Sequence, residues 1–327
     1  MSENRSDTEV SEVFVNSITI VICAYTEDRW ATLRYAIDVA LKQTRFDDDI
    51  LVIVDHNESL LAKCREVMSD CAVIPNRYRR GLSGSRNTAL EEAHGSIIVF
   101  LDDDATPLDG WLDILRASYD DKCVYGVGGL VRPCWHRGKP DWFPEEFLWV
   151  VGCSYRGLPT TAQPVRNLIG ANMSFRKAAF DSVGEFSESI GRVANRPLGC
   201  EETEFSIRLT QAYPDAILLF NPSAQVDHQV PEQRGSIRYF ARRCWAEGHS
   251  KAEVSRRVGQ SSALSTERYY ASRVLPQGIW QGLRDTVTGD LWGAARSAMI
   301  AMGFAVTATG YCMSSLRRPR HNNRKAV

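Results

Sequence analysis

The sequence predicts an α/β fold in which helices flank a mostly parallel sheet, followed by a helical C-terminal extension. The apolar runs SITIVIC, ILVIVD and SIIVFLD have the length and composition of buried strands. Amphipathic helical stretches alternate with them along the first hundred residues. The strand-like runs are continuously apolar, as in a parallel sheet covered on both faces. In such sheets ligands bind beyond the carboxyl ends of the strands.

The elements of the first part follow one another without long gaps. In order, the pattern predicts a strand at SITIVIC, a helix at WATLRYAIDVALKQ, a strand at ILVIVD, a helix at SLLAKCREVM, a strand at CAVIP, a helix at SRNTALEEAHG and a strand at SIIVFLD. After about residue 130 an aromatic and proline-rich stretch interrupts it. Beyond that stretch we expect a strand at NLIGANMSFR, a helix at EETEFSIRLTQA, short strands at AILLF and AQVDH, and a helix at GSIRYFARRCWAEG.

Composition narrows the class of protein. A formal net charge of −1 argues against a nucleic-acid binder that relies on overall positive charge, so no nucleic-acid partner is expected. The nine cysteines include no C-x-x-C pair, which speaks against a zinc ribbon or a disulfide framework. The polar N-terminus lacks the order of a secretory signal. We therefore expect a cytoplasmic protein.

Three consecutive carboxylates follow the strand SIIVFLD. Asp102, Asp103 and Asp104 repel one another, and either solvent or a bound cation must offset that cost. A solvated loop is the plain alternative. A divalent cation held by Asp102 and Asp104 would instead bridge to a diphosphate, and Mg²⁺ or Mn²⁺ accepts such oxygens.

Other strand ends and one loop carry further polar groups. Asp55 ends the second strand, where it could accept a hydrogen bond from a base or ribose. The loop NRYRRGLSGSRN places Arg79, Arg80 and Arg86 among glycines before a helix, which suits a phosphate at a helix start.

Taken in order, these segments resemble the GT-A glycosyltransferases of family 2. The resemblance runs from about residue 17 to about residue 248. It is carried by TIVICAYTED, IVDHNES, RGLSGSRNTAL, FLDDDATP, GANMSFRKAAFDSVGEF, GCEETEFSIRL, PSAQVDHQVP and YFARRCWAEG. The similarity implies a Rossmann-like GT-A domain and inverting transfer of a sugar from a nucleotide diphosphate, with UDP the expected nucleotide.

The resemblance also implies roles for individual residues. Asp102 and Asp104 correspond to metal ligands of the DxD motif, and Asp102 also lies near the ribose. Asp103 faces away or orients a neighbour within the nucleotide-sugar site. The remaining positions that match the nucleotide-sugar site are Ala24, Tyr25, Glu27, Asp55 and Arg86.

Inverting transfer needs a general base to take the acceptor's proton. The family's base is the aspartate of an ED motif, and this chain has Glu201-Glu202 instead. We expect Glu202 to be the base, with Glu201 as the second candidate. The alternative is that both acids only favour a helix N-terminus. His228 matches a position that some relatives use as an additional metal ligand, although a structural histidine is an equal alternative.

The sequence divides into three regions. We expect a disordered lead-in at 1–16, a catalytic domain at 17–250 and a helical extension with a basic tail at 251–327. Within the domain, 17–130 is the nucleotide-sugar half and 131–250 the acceptor half. The segment 297–316 has no charged residue. It is interpreted as a membrane-surface or hairpin element at the inner face of the cell membrane, and a helix packed on the domain is the alternative.

The sequence leaves the acceptor open. A hydroxyl or phosphate of a glycan, a polyprenyl lipid or a small molecule would each fit. Two other functions also remain: a non-catalytic nucleotide-sugar-binding protein and a nucleotidyltransferase.

Overall fold

The computed structural model describes residues 16–191 and 199–316. All but one residue of the expected lead-in 1–16, and the basic tail from 317 onward, lie outside the described residues. The nine strands are β1 (Ile18–Ala24), β2 (Asp49–Val54), β3 (Ala72–Pro75), β4 (Ile97–Asp102), β5 (Ala105–Pro107), β6 (Val124–Trp135), β7 (Gln163–Pro164), β8 (Asn172–Arg176) and β9 (Ile217–Val230).

The helices occupy the intervals between strands and the whole C-terminal part. They are α1 (Trp30–Leu41), α2 (Glu58–Val67), α3 (Leu82–Glu92), α4 (Trp111–Ala117), α5 (Lys177–Val183), α6 (Glu201–Ala212), α7 (Ile237–Val258), α8 (Gln260–Ala263), α9 (Ser265–Tyr269), α10 (Leu275–Val287) and α11 (Trp292–Leu316). Tyr270–Val274 forms a short π-helical segment between α9 and α10.

The strands form one nine-stranded sheet in the order β3-β2-β1-β4-β8-β6-β9-β5, with β7 paired to β9. The pairs of β1 with β2, β1 with β4, β2 with β3 and β6 with β9 are parallel, whereas β8, β5 and β7 run antiparallel to their neighbours. The predicted mostly parallel sheet flanked by helices is confirmed. The continuous apolar runs of β1, β2 and β4 are buried because helices cover both faces.

The register aligns the ends of the central strands. Ala24 pairs with Val54, and Cys23 pairs with Asp102. The carboxyl ends of β1, β2 and β4 therefore reach one edge of the sheet at nearly the same level. The prediction that polar side chains after these strands converge is confirmed.

Three predicted strands differ from the structure. AILLF and AQVDH are both part of one long strand, β9. The register of β9 against β6 jumps from Gly129–Asn221 to Leu130–Gln225, so a bulge separates the two segments. This bulge accommodates Pro222, which cannot donate to the sheet. The predicted strand NLIGANMSFR is shorter than expected, since only Asn172–Arg176 pairs with its neighbours.

The C-terminal helices pack on the sheet domain. A Cβ at Gly248 of α7 would lie 2.2 Å from the carbonyl oxygen of Thr307, and one at Gly310 of α11 would lie 2.6 Å from that of Trp245. Glycine at both positions lets α7 and α11 approach closely. A further glycine, Gly303, faces the buried ring of Phe147. Helix α11 is thus one wall of the folded domain.

Candidate active site

The acidic triplet meets a histidine from a distant part of the chain. Strand β5 pairs with β9 so that Ala105 lies opposite His228. One ligand atom each of Asp102, Asp104 and His228 lie within 4.8 Å of one another. The three residues predicted as metal ligands are therefore brought together by the sheet.

Two arginines surround the same carboxylates. Nη1 of Arg29 lies 2.5 Å from Oδ1 of Asp103, and Nη2 lies 3.0 Å from Oδ2 of Asp104. Arg234 adds a contact of 3.6 Å to Oδ2 of Asp104. Asp103 therefore holds Arg29 in place, which agrees with the expectation that it orients a neighbour.

These contacts set the charge of the cluster. Burial opposes ionisation of Asp104, but His228 and Arg29 hold the pKa of that carboxyl well below its usual range. Burial disfavours the charged imidazolium and by itself would lower the pKa of His228, but Asp104 raises that pKa to about 10. Burial and the neighbouring carboxylates raise the pKa of Asp103, against the opposite effect of Arg29.

The donor atoms fit a divalent cation. Oδ1 of Asp104 is buried and, within the described residues, accepts no hydrogen bond of good geometry, although Nε2 of His228 lies 3.2 Å away. This oxygen is therefore in an ion pair without hydrogen-bond geometry and can still accept a cation. Two carboxylates and an imidazole are ligands that Mg²⁺ and Mn²⁺ accept. The residues therefore fit the expected metal.

The turn after β1 holds the other predicted nucleotide-sugar residues. Ala24 is buried at the end of β1, and Tyr25 is half-exposed. The carboxylate of Glu27 accepts a hydrogen bond of 2.7 Å from Ser59 and contacts Lys63. The side chain of Glu27 therefore fixes the turn to α2, and a role toward a nucleotide stays a prediction.

Asp55 holds the loop before α3. Its Oδ1 accepts a hydrogen bond of 2.7 Å from Asn76, and both oxygens accept from the backbone N–H of Gly81. Gly81 has φ 135°, a conformation that favours glycine, and it precedes the first residue of α3. Arg80 in this loop donates to the carbonyl of His56. Contact of Asp55 with a base or ribose stays a prediction.

Arg86 lies beneath the site. It is 2% exposed and sits between the rings of Phe100 and Phe186. Its Nη1 donates to Oε1 of Glu201 at 2.9 Å, and its Nη2 donates to the carbonyl of Gly170 at 3.0 Å. The predicted position near a base or diphosphate remains untested, whereas the observed partner is a candidate catalytic carboxylate.

The two candidate bases begin helix α6. Cys200 before them has φ 76°, a sparsely populated conformation for a non-glycine residue that is often found at functional sites. Glu201 is buried and paired with Arg86. Glu202 is half-buried; burial, and secondarily the charge of Glu201, raises its pKa to about 8. Glu202 is thus the carboxylate better poised to exchange a proton near neutral pH.

A cavity of about 400 Å³ joins the metal cluster to these carboxylates. Asp102, Arg86, Glu201 and Glu202 line one part of it. It continues between the sheet domain and helix α11. The cavity is large enough for a sugar-sized group, and both Asp102 of the acidic triplet and the candidate bases line it.

The aromatic stretch after residue 130 has two roles. Phe143 and Phe147 are buried and pack edge-on or tilted against Phe240. Trp149 and Tyr155, in contrast, line the cavity. The first pair thus belongs to the hydrophobic core, and the second pair faces the cavity.

Sequence reasoning missed the cations that face the acidic triplet. Arg29 follows the turn after β1, and Arg234 follows β9. Both come directly after segments whose ends were expected at the site, and that position is the signal that could have identified them. It also missed Glu247 and Lys251 of α7 and Glu267 of α9, which line the inner part of the cavity.

Fold and site together define a sugar transferase. The family model described as Glycosyl transferase family 2 matches residues 19–184. The chain belongs to glycosyl transferase family 2 and is a glycosyltransferase with the GT-A fold. The two alternatives raised from the sequence, a non-catalytic binding protein and a nucleotidyltransferase, are set aside.

Two relatives place the chain among enzymes of glycolipid and polysaccharide synthesis. It is 30% identical over 249 residues to a glucosyl-dolichyl phosphate glucuronosyltransferase of Haloferax volcanii, a match that covers 75% of this chain and 79% of the relative. It is 29% identical over 175 residues to the succinoglycan biosynthesis protein ExoM of Rhizobium meliloti, covering 53% of this chain and 52% of the relative.

Two solved structures share the fold. A mannosyltransferase from Pyrobaculum calidifontis in complex with GDP-Man and Mn²⁺ superimposes with a TM-score of 0.57 at 16% identity, over 90% of this chain and 86% of that one. GalNAc-T7 with UDP, GalNAc and Mn²⁺ superimposes with a TM-score of 0.52 at 16% identity, over 80% of this chain and 57% of that one.

Proposed function

We propose that the chain is a metal-dependent, inverting glycosyltransferase that moves a sugar from a nucleotide-diphosphate donor, a UDP-sugar in the first instance. The observation that carries the proposal is that Asp102, whose ligand atom lies within 4.8 Å of those of Asp104 and His228, lines the same cavity as Glu202. The bound Mg²⁺ or Mn²⁺ would neutralise negative charge on the leaving diphosphate. Asp102, Asp104 and His228 would hold it.

The protein's own residues orient the reactants. Glu202, as a carboxylate, accepts the proton of the acceptor hydroxyl while that oxygen attacks the anomeric carbon from the side opposite the diphosphate. Arg86 holds Glu201 by a 2.9 Å contact, so the first turn of α6 is held in place. The turn Ala24 to Glu27, Asp55 and Asp103 form the nucleotide side of the site.

The proposed acceptor carries a sugar on a phosphate-linked lipid. The Haloferax volcanii relative is by its name an enzyme that acts on glucosyl-dolichyl phosphate. Helix α11 is long and apolar enough to cross a membrane by length and composition. Helix α11 packs through glycines on α7. We therefore propose that the protein lies on the cytoplasmic side, with α11 against the inner face of the cell membrane.

A donor screen tests the proposal. Purified protein is incubated with UDP-, GDP- and dTDP-sugars and either Mn²⁺ or Mg²⁺, and release of free nucleotide is measured with and without EDTA. We expect EDTA-sensitive release from one donor and its loss in Asp104→Ala. Asp113→Asn, which removes an exposed carboxylate on α4, is the matched control and should behave as wild type. Equal nucleotide release by Asp104→Ala and wild type would show that Asp104 does not hold a metal that the reaction needs.

A further inference from the structure

His228, one of the three candidate metal ligands, has a partner at each of its ring nitrogens. Nε2 lies 3.2 Å from Oδ1 of Asp104, on the side of the acidic triplet. Nδ1 lies 3.8 Å from Sγ of Cys153. The proposed transfer does not use Cys153.

The contact between Cys153 and His228 is closed to solvent. The two residues are 0% and 2% exposed. A buried ring N–H needs an acceptor, and among residues 16–191 and 199–316 the partner of Nδ1 is the sulfur of Cys153. Sγ also lies 4.0 Å from the carbonyl oxygen of Val151, which can accept the thiol hydrogen. A lone pair of the sulfur can therefore accept the hydrogen on Nδ1.

The sheet that carries His228 also fixes Cys153. Ser154, the next residue, donates its N–H to the carbonyl of Val131 at 2.9 Å, and its hydroxyl accepts the N–H of Val131 at 2.9 Å. Val131 lies on β6 and pairs with Val226 of β9, shortly before His228 on the same strand. Two neighbouring strands thus hold the thiol and the imidazole next to each other.

Gly152 lets the chain pass close to the imidazole ring. Its φ of 87° is a conformation that favours glycine. A Cβ at this position would lie 3.5 Å from both Cε1 and Nε2 of His228. Residues 152 and 153 therefore follow one side of the ring. A flip of the ring would place carbon atoms where Nδ1 and Nε2 now lie, and both contacts would be lost.

This arrangement matches what a metal-binding histidine needs. The nitrogen that binds a cation must offer a lone pair, so the hydrogen of the neutral ring has to be on the other nitrogen. Histidines that bind metals usually donate that hydrogen to a carboxylate, a carbonyl or a water. A thiol is neutral, so it orients the ring without adding a further negative charge beside Asp102, Asp103 and Asp104.

We propose that Cys153 is a positioning residue of the metal site. Its sulfur accepts the Nδ1 hydrogen of His228 and thereby presents Nε2 to the cation that Asp102 and Asp104 bind. The buried Oδ1 of Asp104, which accepts no hydrogen bond of good geometry within the described residues, lies beside Nε2 and marks the same position. This inference rests on the proposed function, because the cation is part of that function.

Manganese binding tests this role without turnover. The protein is titrated with Mn²⁺ alone, and electron paramagnetic resonance measures the free ion. We expect Cys153→Ala to bind Mn²⁺ about tenfold more weakly than wild type, because the ring is no longer oriented. Cys153→Ser keeps an acceptor at this position and should stay within about threefold of wild type. Equal affinity in wild type and Cys153→Ala, or a loss in Cys153→Ser as large as in Cys153→Ala, would overturn the inference.

Two further variants separate positioning from stability. Cys64→Ala removes another fully buried thiol, on α2 in the hydrophobic core, and should lower Tm as Cys153→Ala does but leave Mn²⁺ affinity unchanged. In His228→Gln, the addition of Cys153→Ala should cause no further loss of Mn²⁺ affinity, since Cys153 acts through His228. An equal loss of affinity in Cys64→Ala, or additive losses in the double variant, would refute the inference.

The proposed function is tested separately from this role. Nucleotide release that EDTA stops, together with equal Mn²⁺ affinity in wild type and Cys153→Ala, would refute only the role of Cys153. Mn²⁺ affinity that depends on Cys153, without nucleotide release from any donor, would support this role and count against the proposed transfer. Absence of Mn²⁺ binding by wild type would refute both the metal role and the role of Cys153.

Discussion

Arg86 and Glu201 form a buried ion pair, with Nη1 of Arg86 2.9 Å from Oε1 of Glu201. Arg86 lies on α3, which follows the loop that Asp55 holds, and Glu201 is the first residue of α6. The pair thus joins the nucleotide half of the domain to the helix that carries the candidate base. It also occupies Glu201, so Glu202 is the carboxylate left to take a proton.

Removing Arg86 should destabilise the fold strongly. In Arg86→Met the carboxylate of Glu201 loses its cation while it stays buried, and breaking such a pair costs about 3–5 kcal/mol. Denaturant unfolding measures this change in the free energy of unfolding. The double variant Arg86→Met with Glu201→Gln removes both charges and should recover more than half of the loss. Additive losses in the double variant would show that the pair is not the cause.

Glu202→Gln should lower turnover while donor binding is kept. The amide keeps the size of the side chain but cannot accept the acceptor's proton as a base, so kcat should fall by about 10²–10⁴-fold. Donor affinity, measured by calorimetry with Mn²⁺, should change little. Glu204→Gln on the same turn of α6 is the control, because Glu204 pairs with Arg208. A normal kcat in Glu202→Gln would exclude Glu202 as the base.

Activity should rise with pH through about 8. Burial raises the pKa of Glu202 to about 8, and only the ionised carboxylate can act as the base. Below that pKa kcat should fall about tenfold for each pH unit, and above it kcat should level off. Glu202→Asp, if active, should shift the profile downward by about half a unit because aspartate is the stronger acid. A rate that does not change between about pH 6 and pH 9 would contradict this assignment.

Much of the fold followed from local pattern. The central strands β1, β2 and β4 are continuously apolar, and helices α1 and α2 have an apolar face, so the order and type of these elements could be predicted from the sequence. The bulge near Pro222 could not, because it depends on the register against β6. Helix α7 also continues about ten residues past its expected end, since its later turns pack against α11.

The residues of the site also divide into those that the sequence predicts and those that it does not. Strand ends placed Asp102, Asp104 and Asp55 at one edge because strand direction alone determines that position. The resemblance to family 2 pointed to His228, which the structure brings to the triplet through β5 and β9. The partners of these groups come from distant segments, and no local pattern pairs Arg86 with Glu201.

Arg29 should tune metal binding. It pairs with Asp103 and Asp104, so Arg29→Met leaves two buried carboxylates without that cation. We expect a lower Tm without metal and a larger rise in Tm on adding Mn²⁺ than in wild type, because the ion stabilises only the folded state. Arg34→Met, which removes an exposed ion pair on α1, the helix that follows Arg29, is the control. An equal rise in Tm on adding Mn²⁺ in both variants would show that Arg29 has no specific effect on metal binding.

The close contact of α7 with α11 should be sensitive to a single side chain. In Gly248→Val the first added carbon would lie 2.2 Å from the carbonyl oxygen of Thr307, so α11 must move away. Such overpacking costs about 1–3 kcal/mol of unfolding free energy. Ala301→Val adds similar volume at an exposed position of α11 and should cost less than about 1 kcal/mol, mainly through helix propensity. Equal stability of the two variants would mean that α11 is not fixed on α7.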